Sequence, residues 1–155
     1  MKYSIWVIPV CLITLGETVF AQDRLAVAVP ISSPPVIDGV LDEPFWTRVD
    51  PITGFLQRDP VDGAPASETT EVRIAYTPTA LYFGMTMHDS EPSLIRGNIL
   101  QRGGWIDKDD NIRIALDTYD DDRNAYMFEV GVLGTQDDAL ISDESSTDWN
   151  WDGIY

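Results

Sequence analysis

Apolar residues return at every second position in four stretches of this chain, and no stretch carries a helical repeat of useful length. Val72, Ile74 and Tyr76 alternate with Glu71 and Arg73. After the turn Thr77-Pro78-Thr79-Ala80, the residues Leu81, Phe83, Met85 and Met87 alternate with Tyr82, Gly84, Thr86 and His88. Further on, Ile112, Ile114 and Leu116 alternate with Arg113 and Ala115; beyond Asp120 to Asn124, Tyr126, Phe128 and Val130 alternate with Met127 and Glu129. Successive side chains of a strand point to opposite faces, so this spacing predicts two hairpins, each with one buried apolar face. Shorter strands are expected at Leu25–Val29, Ile52–Gln57 and Asp138–Ile141. Pro60, Gly63 and Pro65 mark 58–67 as a loop. Asp42 ahead of Pro44 predicts a capped helix of one or two turns over Glu43–Val49, and Ser93–Leu100 a short helix or irregular crossing. The fold class is all-β: an antiparallel β-sandwich, jelly-roll-like. The strand-like Trp149-Asn150-Trp151-Asp152-Gly153-Ile154-Tyr155 predicts that the sandwich is incomplete at its C-terminus.

Residues 1–21 read as a secretory signal peptide. Lys2 supplies the positive charge, Ile5–Leu15 the apolar stretch, and Val19-Phe20-Ala21 the cleavage site. That stretch is well short of the ~20 residues that span a bilayer. Residues 22–155 then make one domain, exported to the periplasm, the outer membrane or the medium. The single cysteine, Cys11, leaves with the signal, which excludes an internal disulfide, a thiol nucleophile and thiolate metal binding. The formal net charge is −16, and acidic residues far outnumber basic ones from Trp105 onward. Such a surface repels phosphate backbones, which excludes nucleic acid and favours neutral ligands or divalent cations.

Three groups of residues carry chemistry. Trp105, in Arg102-Gly103-Gly104-Trp105, and Trp149 and Trp151 near the C-terminus lie outside the alternating stretches, so no strand face forces them inward. An indole offers a flat apolar face to the C–H side of a sugar ring, and Arg102 could donate to its hydroxyls. Asp107, Asp109 and Asn111, and likewise Asp120 and Asp122, place oxygens at alternate loop positions, as a calcium loop does. Both loops then depart from the EF-hand pattern: Ile112 and Ala125 stand where glycine is needed, and Thr118 and Gly131 where glutamate is. A looser calcium site stays open. His88 with Met85, Met87 or Met127 offers a haem alternative, although Met85 and Met87 fall on the opposite strand face from His88. One histidine and no serine elbow leave little for acid–base or nucleophilic catalysis, and the many aspartates make carboxylate pairs uninformative.

The run Val36-Ile37-Asp38-Gly39-Val40-Leu41-Asp42-Glu43-Pro44-Phe45-Trp46 resembles the opening of the carbohydrate-binding module family 9 β-sandwich. Trp46 in that run is expected in the core. Glu71–His88 with Asp89 is similar to the family's central hairpin, and Asp109–Asp117 to the strand that follows it. Arg123–Phe128 and Asp148–Gly153 resemble a bacterial subgroup in which the sandwich opens a large exported protein, often ahead of an outer-membrane β-barrel. The resemblance covers most of residues 22–155. It implies a non-enzymatic domain that clamps a terminal sugar of a xylan- or cellulose-type glycan between two rings and holds structural calcium. A glycoside hydrolase elsewhere in the parent protein is compatible with it. Alternatives are an interaction domain of an outer-membrane barrel protein with no sugar ligand, and a haem-binding electron-transfer sandwich.

Overall fold

The computed structural model describes residues 25–155, so the expected signal peptide lies outside the described residues. Among the described residues seven strands fall into two sheets, ordered β1-β2-β3 and β4-β5-β6-β7, and the only helical elements are three-residue 3-10 turns. The chain is all-β and consistent with a β-sandwich. Among the described residues no helix is long and apolar enough to cross a membrane. The described chain divides into two compact units, 25–55 with 70–86 and 56–69 with 87–155.

In the first unit, β2 (Thr70–Thr77) and β3 (Ala80–Met87) form the expected hairpin sheet. The expected strand Leu25–Val29 shrinks to β1 (Val29–Pro30), and it pairs with β2 in parallel rather than antiparallel register, Val29 opposite Ala75. The expected strand at Ile52–Gln57 is reduced to single bridges, Ile52 to Val72 and Leu56 to Pro65. The capped helix at Glu43–Val49 is one 3-10 turn, Trp46–Arg48, with no side-chain cap. Glu43 ties the run together in place of a cap: its carboxylate accepts from the Val36 amide (2.6 Å) and from the Trp46 indole N–H (2.9 Å). Gly39 at φ 82° and the Val40 amide donating to Asp38 (2.9 Å) complete the turn. This folds the 36–46 run on itself and drives Trp46 into a core with Ile31, Val49 and Ala75.

The face that this core covers is not the one that alternation selects. Ala75 and Gly84 are buried, whereas Tyr76, Leu81 and Met87 are exposed. The reason is room. A Cβ on Gly84 would lie 3.0 Å from both Leu41 Cδ2 and Trp46 Cη2, so small residues mark where the 31–49 segment closes on the sheet.

The second unit is a meander of β4 (Asn111–Leu116), β5 (Ala125–Gly131), β6 (Gln136–Ser142) and β7 (Ser146–Asp148), antiparallel throughout. The expected strand at Asp138–Ile141 is the middle of β6. Register puts Ile114 opposite Phe128 and Leu116 opposite Tyr126, as alternation predicts. Trp151 packs on this face, 5.2 Å from Tyr126 and 5.9 Å from Phe128 between ring centroids, and Tyr155 lies 4.8 Å from Phe128. Yet Met127, Glu129 and Ala139, on the other face, are the more deeply buried. Ile106 covers that face: its Cγ2 would stand 3.0 Å from a Cβ on Gly131. Residues 95–105 carry neither helix nor strand, as one reading of Ser93–Leu100 anticipated, and the 3-10 turn Pro92–Leu94 precedes them.

Candidate functional site

The site is built on the covered face of the four-stranded sheet. Register sets Arg113 opposite Glu129 and Glu129 opposite Asp137, so three charged side chains form one row across β4, β5 and β6. The Arg113 guanidinium donates to the Glu129 carboxylate. Glu129 is only 2 % exposed while the Arg113 side chain is 48 % exposed, so the buried charge is paired and the arginine keeps donors facing outward. Asp137 accepts from the Asp138 amide (2.9 Å). Around this row opens a cleft of about 410 Å³, lined also by Gly103, Trp105, Ile106, Asp107 and Trp149. That volume lies within the range of small-molecule sites.

Two loops carry the indoles. Trp105 precedes the 3-10 turn Ile106–Lys108. Ile106 anchors that turn inward, and the ring beside it stays 74 % exposed. Asp109 ties the segment down: its carboxylate accepts from the Asn98 amide (2.6 Å), the Ile99 amide (2.7 Å) and the Asn98 side chain (3.0 Å). The Asn98 amide above all, with Ile99 and the Asn98 side chain, holds this carboxyl below the usual aspartate value against the opposing effect of burial. Thr135 donates to the Ile99 carbonyl and Asn111 to the carbonyls of Ile106 and Asp109. The Lys108 ammonium lies 5.4 Å from the centroid of the Trp105 ring, a cation–π contact on one of its faces. Trp149 follows β7 and is 49 % exposed. Asp148 fixes its turn by accepting from the Asn150 amide and side chain, both at 3.0 Å, and these bonds lower the Asp148 pKa.

Of the four residues expected to bind sugar, the structure brings Trp105 and Trp149 to one cleft and uses the other two elsewhere. Arg102 donates to Asp138 (2.8 Å), Asp152 (2.7 Å), the Gly153 carbonyl (2.7 Å) and Gln136 (3.2 Å). It clamps the C-terminal segment to β6. Trp151 is packed on Tyr126 and Phe128. Arg113, Glu129 and Asp137 were missed as site residues. Arg113 and Glu129 read as the polar halves of strands and Asp137 falls just ahead of the expected strand Asp138–Ile141; only inter-strand register aligns the three.

Of the carboxylates expected to hold calcium, Asp109 is occupied with the backbone amides of Asn98 and Ile99. Asn111 points its amide at carbonyls. In the second loop Asp120 and Asp122 adopt φ 54° and 55°, while Asp117 accepts from the amides of Asp122 (2.8 Å), Asp121 and Tyr119 (both 2.9 Å). The Asp122 amide first among these lowers the Asp117 pKa, and the Asn124 side-chain amide does the same for Asp121. Among the described residues no group of three His, Cys, Asp or Glu side chains gathers where it could hold a metal ion. His88 is exposed, and Met127 is buried within the four-stranded sheet. Neither a family model, nor a curated protein, nor a solved structure matches this chain.

Proposed function

We propose that this chain is a non-catalytic, sugar-binding domain of an exported protein, and that the Trp105–Trp149 cleft is its ligand site. The observation that carries the reading is the pairing of two exposed indoles with one polar row, Arg113-Glu129-Asp137, in a single cleft. A pyranose needs a flat apolar platform for its C–H face and charged or polar groups for its hydroxyls. The guanidinium donates to hydroxyl oxygens, and Asp137 and Asp107 accept from hydroxyl hydrogens. Affinity is modest, because the cleft is open and a sugar gives up much water to enter it.

Isothermal titration of the chain against xylo- and cello-oligosaccharides, with and without calcium, tests the proposal. Heat that saturates at one site, and that disappears in W105A and W149A variants, supports it. Absence of heat with every glycan class tried would sink it. A calcium-dependent affinity would show that the cation orders a loop in the complex; an affinity unchanged by chelator would remove calcium from the account.

A further inference from the structure

We infer that the ligand of this cleft is a cationic amino sugar, a hexosamine unit with a free ammonium, rather than a neutral hexose or pentose; this rests on reading the cleft as a sugar site. The cleft is lined by four charged side chains, Asp107, Arg113, Glu129 and Asp137. Arg113 neutralises Glu129. Asp107 and Asp137 face no basic partner among the described residues: the ion pairs there join Arg73 to Glu71, Arg102 to Asp138 and Asp152, Arg113 to Glu129, and Arg123 to Asp143. The cleft therefore keeps two uncompensated carboxylates beside two indole rings. A neutral sugar leaves both charges without a counter-ion as it displaces water. An ammonium supplies one, with three donors for carboxylate oxygens.

The aromatic walls point the same way. An indole face attracts a cation; the Lys108 ammonium occupies one face of Trp105 and repels a second cation there, which leaves the Trp149 ring as the platform for the ligand's charge. A pyranose bearing an ammonium could stack its C–H face on an indole and direct its charge to Asp137 or Asp107, satisfying both features of the cleft together. The net charge of −16 adds a long-range field that draws cations and repels uronic acids and sulfated glycans.

The experiment compares three trisaccharides of the same linkage on the intact chain by isothermal titration: glucosamine, N-acetylglucosamine and glucose series. The buffer is held at about pH 6, where an amine of this basicity is protonated. The glucosamine series should bind about tenfold more tightly than either neutral series, as expected for one partly screened ion pair. That ratio should shrink toward one as salt rises from about 0.05 to 0.5 M, and D137N should lower it at low salt. Neutral sugars that bind as well as glucosamine overturn the charge inference and leave the cleft reading standing. A glucosamine preference unchanged in D137N and in W149A places the cation elsewhere on the acidic surface and overturns it as well. No heat with any of the three series overturns this inference, and no heat with xylo-oligosaccharides in addition overturns the sugar-site reading with it. The salt series on the unaltered chain decides the matter if D137N fails to fold.

Discussion

Arg113 and Glu129 meet where a buried carboxylate has one charged partner and an open cleft above it. Removing the arginine leaves that charge nearly inaccessible to water, so R113M should lower stability by about 1–3 kcal/mol, less than a fully buried pair would because Arg113 is half exposed. The double variant R113M/E129L should recover most of that loss in a urea titration. If R113M alone is neutral, the pair does not carry the burial of Glu129. The two indoles behave differently. Both are substantially solvent-exposed, so W105A and W149A should change stability by no more than about 0.5 kcal/mol while weakening sugar binding by about fivefold or more each. Trp46 is the contrast: buried and bonded to Glu43, it should cost about 3–5 kcal/mol as alanine.

The alternating strands were legible in the sequence because alternation needs only local information, whereas β7, three polar residues long, was not. β2, β3, β4, β5 and the middle of β6 appear where Val72, Leu81, Ile114, Phe128 and Ala139 predict them. What covers each sheet was not legible. Ala75 and Gly84 look like weak strand residues, yet they face the core, because a bulky neighbour from elsewhere in the chain needs their small size. A methyl group on Gly84 meets Trp46 and Leu41 at 3.0 Å, so G84A should cost about 1–3 kcal/mol by thermal melting, although alanine is ordinary in strands. The site follows the same logic. Trp105 and Trp149 could be named because they fall outside any strand face, whereas Arg113, Glu129 and Asp137 become a row only when three strands take their register. The pairing of Arg102 was not legible, because its partners Asp138 and Asp152 lie far along the chain. Ile106 links fold to function at this scale. It is buried under the turn that presents Trp105, so I106A should cost about 2–5 kcal/mol and weaken sugar binding as well. A destabilised I106A with unchanged affinity would separate the two roles.

For the whole molecule, charge and hydrogen bonding pull in opposite directions as acid is added. Protonation relieves the mutual repulsion of a chain with net charge −16, which favours the folded state between neutral pH and about pH 5. Asp109, Asp117, Asp121 and Asp148 have folded-state pKa values below their ordinary ones. Their contribution is fully present above the unfolded aspartate value of about 4 and is lost as pH falls through the lowered values. The melting temperature should therefore hold or rise toward about pH 5 and drop below about pH 4; a continued rise to pH 3 would contradict the loop-tying role of these carboxylates. At the alkaline end Tyr155, whose hydroxyl donates to the carbonyls of Asp137 and Glu129, has its pKa raised first by burial. The stability it gives is present below the ordinary tyrosine value and lost as pH rises through the higher folded one.

The four indoles among the described residues also sort into two optical populations. Trp46 and Trp151 are packed against other aromatic rings, while Trp105 and Trp149 look into water. Red-edge emission should come mainly from the second pair and fall under collisional quenchers, with caesium, drawn to the acidic surface, outperforming iodide. Occupancy of the cleft should then be readable, without any dye, as lost access of caesium to that red-edge light.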